Sequence, residues 1–239
     1  SVSLTLMMHL TGQERAQYVR AMFDRIAPRY DLMNRLMTAG QDMRWRRRLL
    51  NKAALPGRGR LLDLGTGTGD VPLAALRAQP GVFSIGADFS EGMLRAGRAR
   101  AGGSGVRWLS TDALQLPFPA STFDAVTSAF LMRNVIDLER AFGEQQRVLR
   151  PGGKVVCLDT TPPGFTLFRT ALQFHLHRVI PFLGRLIAGQ REAYTYLPES
   201  TEGFLPAEGL VECIRAAGFR DVDFRRMMFG TVALHWGTK

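Results

Sequence analysis

From Arg60 onward the chain alternates short apolar runs with longer stretches whose apolar residues recur every three or four positions. The short runs are Arg60–Leu64, Val82–Ala87, Val106–Ser110, Asp124–Ser128 and Lys154–Asp159. Their length and their Gly, Pro, Asp and Ser boundaries predict strands. The stretches between them, near Asp70–Ala78, Glu91–Ala101 and Asp137–Leu149, predict helices. This alternation predicts an α/β fold with a doubly wound, mostly parallel sheet. Arg220–Arg226 and Thr231–Trp236 predict two more strands joined through Met227–Gly230. They read as a hairpin, so at least one C-terminal strand is antiparallel.

Two segments stand outside this alternation. Residues 11–50 read as helices, with Val19, Met22, Phe23 and Ile26 at three-to-four spacing and a break at Pro28. Residues 165–190 are apolar-rich, with Phe168, Leu172, Leu176 and Ile180 ahead of a stop or kink at Pro181. The expected organisation is an N-terminal helical lid over 1–50 and a Rossmann-like domain over 51–239. A helical insertion is expected at about 164–192.

The length of 239 residues, with 46% hydrophobic and 22% charged residues, suits one globular domain with a lid and excludes a disordered or collagen-like chain. The longest charge-free run, Ser1–Gln13, is shorter than the roughly 18 residues that a membrane span needs. It lacks the basic start and small-residue cleavage site of a secretory leader. Two cysteines, Cys157 and Cys213, cannot build a disulfide framework and read as core residues. A reduced, cytoplasmic protein is expected. The net charge is +10. Residues 1–60 hold 12 basic against 4 acidic side chains, 61–163 hold 10 against 10, and 164–239 hold 9 against 7. The excess is therefore N-terminal, with a cluster at Arg44, Arg46, Arg47 and Arg48. It suits an anionic partner, either nucleic acid or lipid headgroups, or else a solvated helix face.

The sharpest motif is the run Leu61–Asp70, which reads LLDLGTGTGD between a strand and a helix. Its glycines allow a tight turn and close approach of a ligand, beside the free N–H groups of a helix start. Counting from Gly65, a dinucleotide fingerprint would need a small residue where Asp70 stands. A carboxylate there would repel a pyrophosphate. S-adenosylmethionine carries no phosphate but has an ammonium and a sulfonium, so Asp63 and Asp70 favour that cofactor. Asp70 is otherwise a first-turn residue suited to the helix dipole. Asp88 ends the second strand, where an acid can accept ribose hydroxyls, or it caps the next helix unless Ser90 does. Asp112 and Ala113 follow the third strand, where adenine would lie.

Asp63–Asp70, Asp88-Phe-Ser90, Leu116-Pro-Phe-Pro119 and Arg147–Gly153, whose Pro-Gly pair suits a type II turn, resemble class I methyltransferase motifs. Met22–Asn34, Arg133-Asn-Val135, Tyr194–Ser200 and Val232–Gly237 resemble, more narrowly, the ubiquinone/menaquinone C-methyltransferases (UbiE/MenG). This resemblance spans roughly residues 18–239. It implies a class I S-adenosylmethionine-dependent fold that methylates a ring carbon of a polyprenylated quinol, demethylmenaquinol first among them. Carried over by motif, the cofactor contacts are Asp63, Gly65, Thr68, Asp88, Phe89, Asp112, Ala113 and Ser128. Tyr30, Arg133 and Asn134 fall on the substrate side as the catalytic group. Two departures stand out. Leu131 occupies a position where the family has Gly, and Asp159-Thr-Thr-Pro162 replaces Phe-Ser-x-Pro.

A quinol hydroxyl resembling Tyr costs about 4 kcal/mol to ionise at neutral pH. A contacting guanidinium lowers such a pKa by about 1–3 units, so Arg133 is expected to stabilise the quinolate. The rival reading pairs Arg133 with Asp137 or Asp159. His235 is a weaker candidate base, since a lone His near an apolar strand is more often packed; Tyr194 and Tyr196 either line the pocket or only pack. The alternatives are methylation of RNA or of another small aromatic, and cofactor binding without catalysis. No Asn/Asp-Pro-Pro-Tyr and no Cys nucleophile follows the fourth strand, so no nucleic-acid partner is expected. A polyprenyl tail requires visits to a bilayer. Peripheral contact with the inner membrane face is expected through residues 165–190 and the basic N-terminal face.

Overall fold

The computed structural model describes residues 12–162, 200–201 and 203–239. The insertion at 164–192, Tyr194 and Tyr196 lie outside the described residues. Five strands run parallel: β1 (Arg60–Leu64), β2 (Phe83–Asp88), β3 (Arg107–Ser110), β4 (Phe123–Ala129) and β5 (Leu149–Thr160). β6 (Arg220–Met227) and β7 (Val232–Thr238) form the C-terminal hairpin. The strand order is β3-β2-β1-β4-β5-β7-β6, with β7 antiparallel to both neighbours. The order reverses between β1 and β4, and a crevice for ligands opens beyond the carboxyl ends of strands at such a switch.

Side chains alternate across the sheet, as the two-residue strand period demands. Leu62, Val155 and Cys157 pack on one face with Phe142 and Val148 of α6 (Leu138–Val148) and Leu210 and Ile214 of α7 (Ala207–Ala216). Leu61, Val156 and Leu158 pack on the other with Trp45 and Leu49 of α3 (Gln41–Ala53) and Val71 and Ala75 of α4 (Asp70–Ala78). α7 is not among the predicted elements, although Leu210, Val211 and Ile214 carry a helical spacing. Both cysteines are free; Cys157 is buried on β5 and Cys213 is partly buried on α7. β5 starts five residues before the predicted strand: Leu149 pairs with Phe123 and Lys154 with Ala125, and the intervening Pro-Gly turn bulges out with Gly152 at φ +78°.

N-terminal to β1, α1 (Gly12–Ile26), a short 3-10 turn at Ala27–Arg29 and α2 (Tyr30–Met37) precede α3. Val19, Met22, Ile26, Met33 and Met37 close a third apolar cluster against Met93 of α5 (Glu91–Arg98). Pro28 sits in the 3-10 turn, where its missing N–H is tolerated. Ser90 caps α5 by accepting from Met93 N at 3.2 Å, and Asp137 caps α6 by accepting from Arg140 N at 2.9 Å. The loop carrying Leu116-Pro-Phe-Pro119 is held by Arg147, which donates to the carbonyls of Leu116 at 2.9 Å and Phe118 at 2.7 Å.

The Trp108 ring of β3 is wedged between the glycine-rich turn and α5. A Cβ on Gly69 would lie 2.3 Å from Trp108 Cη2, and one on Gly97 2.4 Å from the same atom. Gly143 of α6 has nothing within 4 Å of such a Cβ. Two helical glycines therefore give opposite expectations. Gly143→Ala is expected to stabilise by about 0.5–1 kcal/mol through helix propensity. Gly97→Ala is expected to destabilise by about 1–3 kcal/mol, because overpacking outweighs that gain. Urea unfolding of both variants checks the contrast in sign.

Candidate active site

A cavity of about 130 Å³, partly open to solvent, lies at the carboxyl ends of β1, β2 and β4. Its polar wall is Gly65 and Gly67 of the glycine turn, Asp88 and Phe89 after β2, and Asp112 and Ala113 after β3. Its apolar wall is Phe130, Leu131, Val135 and Ile136 after β4. Ala16, Val19, Arg20 and Phe23 of α1 roof it, and Tyr30 and Asn134 face it from opposite sides of the chain. A smaller cleft of about 10 Å³ shares Tyr30, Gly65, Gly67 and Ala129 with the cavity and is further lined by Arg46, Asp63, Thr66, Thr68, Asp70 and Val71.

Asp88 ties the glycine turn to β2. Gly67 N donates to its Oδ2 at 2.7 Å and Ser90 N to its Oδ1 at 2.8 Å. Burial raises the Asp88 pKa against these hydrogen bonds. Phe89 N donates to it as well, so of the roughly four acceptor positions of a carboxylate about one remains for a hydroxyl of a ligand. Asp112 Oδ1 accepts from Leu114 N at 2.9 Å. Asp63 is buried on β1 and accepts from Thr127 Oγ1 at 2.6 Å. Burial pushes its pKa up to about 7, against the pull of Thr127, Thr66 and the Arg46 guanidinium.

Asp70 differs from its expected role. It faces three guanidiniums, from Arg100 at 2.9 Å, Arg35 at 3.1 Å and Arg46 at 3.5 Å. Its burial is outweighed by these charges, which hold its pKa below the usual carboxylate range. With its charge balanced, Asp70 joins the N-terminal helices to the glycine turn and presents no open negative charge to a cofactor. Asp42 pairs with both Arg35 and Arg46, and Asp31 pairs with Arg100 at 3.3 Å. Thr68 donates to Asp31 Oδ1 at 2.6 Å, and Arg100 donates to its carbonyl and hydroxyl at 3.0 and 3.1 Å.

A second tie fixes the roof. Asp24 Oδ1 of α1 accepts from Ser90 Oγ at 2.6 Å and Gly92 N at 2.8 Å, at the start of α5. Arg20 lies 5.0 Å over the ring of Phe89.

Arg133, in the 3-10 turn Met132–Asn134 after β4, is buried and does not line either cavity. Its Nη1 donates to Asp159 Oδ1 at 2.6 Å and its backbone N to Asp159 Oδ2 at 3.3 Å. Of the two carboxylates weighed as partners from sequence, the structure selects Asp159, while Asp137 caps α6. Ser128 is buried in β4 opposite Cys157 and lines neither cavity. His235 packs as expected of a core histidine: its Nε2 lies 2.9 Å from the carbonyl of Ala207, its ring stacks on Phe224, and burial lowers its pKa. Leu131 fills the space beside Gly65, where a Cβ would come within 2.9 Å of it. The parts that sequence reasoning missed are Asp24, Arg35, Arg46 and Arg100. Only Asp42 and Arg46 carry a local signal, being an i,i+4 pair.

Residues 10–239 match the model of the ubiE/COQ5 methyltransferase family. The ubiquinone/menaquinone biosynthesis C-methyltransferase UbiE of Desulfotalea psychrophila is 49% identical over 221 residues, covering 92% of this chain and 90% of that protein. The demethylmenaquinone methyltransferase of Thermus thermophilus is 48% identical, covering 91% of this chain and 100% of that protein. Among solved structures, phosphoethanolamine N-methyltransferase 2 of Haemonchus contortus in complex with S-adenosyl-L-methionine superposes with a TM-score of 0.62 at 18% identity, covering 82% of this chain and 52% of that one. The cyclase SpnF superposes with a TM-score of 0.69 at 19% identity, covering 96% of both. At such identities the structures show the class I methyltransferase fold alone. A cyclase among them illustrates that chemistry resides in the site rather than in the fold.

The smaller cleft makes a pH-dependent prediction through Asp63. A cationic cofactor favours ionised Asp63, whose pKa in the free protein is about 7. Affinity for S-adenosylmethionine is therefore expected to be level above about pH 7 and to fall by up to about tenfold per unit below it. Asp63→Asn is expected to bind more weakly and to flatten this profile near neutrality. Calorimetric titration of both proteins across that range checks it.

Proposed function

The chain belongs to the ubiE/COQ5 methyltransferase family, and from that premise we propose that it transfers a methyl group from S-adenosylmethionine to a ring carbon of a polyprenylated quinol in menaquinone or ubiquinone biosynthesis. The names of its relatives favour demethylmenaquinol as the substrate. The observation that carries the reading is one cavity with two unlike walls. Asp88 and Asp112 stand on one side, Leu131, Val135 and Ile136 on the other, and Tyr30 and Asn134 between them.

The residues present suit the cofactor. Asp63 is buried and Asp88 partly buried, and an incoming cation beside either carboxyl favours its charged form. When bound, S-adenosylmethionine supplies an electrophilic methyl group on a cationic sulfur. The chain's own task is to hold the ring carbon in line with it, an arrangement worth about 7–11 kcal/mol. Asp88 and Asp112 hold the adenosine half. The apolar wall excludes water and receives the ring, and Tyr30 and Asn134 offer polar atoms to the quinol oxygens.

Arg133 acts in this reading as a positioning residue. Asp159 balances its charge at 2.6 Å, so it offers the quinol no net positive field. Its two hydrogen bonds to Asp159 fix the turn that presents Leu131, Asn134 and Val135 to the cavity. The guanidinium also lies 5.6 Å over the Phe130 ring, and Phe130 holds an uncommon φ of +64°. The ion pair thus supports a backbone conformation that costs about 1–3 kcal/mol in isolation.

A polyprenylated substrate is bilayer-bound, and the reading includes peripheral membrane contact. Among the described residues no helix is long and apolar enough to cross a membrane. α3 exposes Arg44, Arg47, Arg48 and Lys52, and α2 exposes Leu32 and Leu36. Each basic residue near an anionic surface contributes about 1 kcal/mol. The other expected contact, residues 165–190, lies outside the described residues.

Two measurements test these readings. In anaerobic single-turnover assays the protein is expected to add one methyl to demethylmenaquinol, seen by mass. Arg133→Met is expected to lower that rate by about 100-fold, equally at every pH, since the loss is one of positioning and no quinolate-stabilising charge has been lost. A deficit that disappears toward the quinol's pKa of about 10 would restore Arg133 as an electrostatic catalyst. In vesicle co-sedimentation, binding to anionic lipid is expected to decline as salt rises. A triple Arg44, Arg47, Arg48→Glu variant is expected to lose about 10-fold or more of its affinity. Equal binding of wild type to neutral and anionic vesicles would remove the electrostatic component.

A further inference from the structure

The tip of the C-terminal hairpin carries an assignment of its own, which rests on the membrane reading above. The turn between β6 and β7 holds Met228, Phe229 and Gly230 in left-handed backbone, at φ +49°, +53° and +87°. Glycine adopts that conformation freely, whereas Met and Phe adopt it at a cost. Burial does not offset the cost: Phe229 is 68% exposed, more than any other large apolar side chain among the described residues. A strained turn that holds an aromatic ring out in water points to a role outside the folded chain. Its place agrees. Val232, which opens β7, pairs with Thr160, which ends β5, and Met227 pairs with Val232. The turn therefore projects beyond the carboxyl ends of the parallel strands, the edge at which the cavity opens.

Basic side chains flank the tip. Lys52 of α3 lies 3.6 Å over the ring of Trp236, and Arg48 Nη1 lies 3.2 Å from Met227 Sδ. These contacts run α3 along the hairpin with Arg48 nearer the tip, and Arg44 follows one turn further in the same direction. Arg225, two residues before Met227, is exposed on the same face of β6. Arg44, Arg48 and Arg225 have no acidic partner among the described residues. Glu208, which reaches the hairpin from α7, is paired with Arg226 at 2.7 Å. An apolar tip among open cations complements a bilayer, where an anionic headgroup layer covers hydrocarbon. A second copy meeting this patch with its own would set the same cations against each other. We propose that Phe229 is an interfacial anchor that inserts its ring into an anionic bilayer while Arg44, Arg48 and Arg225 meet the headgroups. The anchor turns the cavity edge toward the lipid from which a polyprenylated quinol is drawn.

The test uses the full chain and vesicles of mixed phosphatidylcholine and phosphatidylglycerol. Phe229→Asn suits the turn, since Asn tolerates left-handed backbone. It is expected to keep or raise the thermal midpoint while binding the vesicles about 10-fold more weakly. That loss is expected to persist at high salt, unlike the loss in the arginine variant, because burial of a ring is not screened. Phe229→Trp is expected to bind as wild type does, and its added fluorescence is expected to be quenched by lipids brominated in their acyl chains. An Asn variant that binds as wild type does, or a Trp at 229 that brominated chains leave unquenched, overturns the inference while leaving the membrane reading intact. A Phe229→Asn change that dissociates a wild-type dimer and leaves vesicle binding unchanged assigns the tip to contact between copies and overturns it as well. Failure of wild type to bind either these vesicles or neutral ones overturns both readings.

Discussion

The structure depends on a buried cluster of opposite charges between the N-terminal helices and the glycine-rich turn. Asp70 sits at the start of α4 with three guanidiniums around it, two from the helices before the sheet and one from Arg100 after α5. A buried carboxylate stripped of its partners is strongly destabilising, by about 3–5 kcal/mol. The turn therefore cannot keep its shape unless α2 and α3 are seated against it. Asp24, reaching to Ser90 and Gly92, does the same for α1. The roof, the glycine turn and the floor of the cavity are in this way one mechanical unit. The basic excess of the N-terminal segment is partly spent inside: Arg35 and Arg46 face aspartates, while Arg44, Arg47 and Arg48 face solvent.

The sheet was legible because its signals are local. β1 and α4 begin and end where the apolar pattern and the Gly and Asp boundaries say they do, and the C-terminal hairpin follows from its two runs and the intervening turn. Asp88, Phe89, Asp112 and Ala113 were legible for a related reason: they follow strand ends, and strand ends in such a sheet face the crevice. Interactions between residues far apart in sequence were not legible. Nothing near Arg133 identifies Asp159 rather than Asp137 as its partner, because the choice is made by the pairing of β4 with β5. Asp70 and Ser128 illustrate the same limit. Their motif positions suggested a ligand, whereas three arginines surround the first and sheet packing buries the second.

Charge balance runs through the whole site. Arg133 is offset by Asp159, and Asp70 by its arginines, so neither projects a strong field into the cavity. The acid left with adjustable charge near neutrality is Asp63, whose pKa burial raises to about 7. A cationic cofactor meets a group whose ionisation it can itself complete, which couples its binding to proton release rather than to displacement of a preformed ion pair.

Trp108 gives the glycine turn a history as well as a shape. Gly69 would be read from its motif as a ligand-binding glycine, yet the indole ring would collide with any side chain there, and equally with one at Gly97. The ring, anchored by its Nε1–H to the carbonyl of Gly103 at 2.8 Å, makes three positions one evolutionary unit. A lineage holding this tryptophan cannot drift at either glycine. Release has to come in one order, first a smaller residue at 108 and only then a Cβ at 69 or 97. In relatives that keep a bulky ring at this point of the third strand, both glycines should therefore be invariant even where the ligand differs, and identity at Gly69 alone says nothing about what the turn binds.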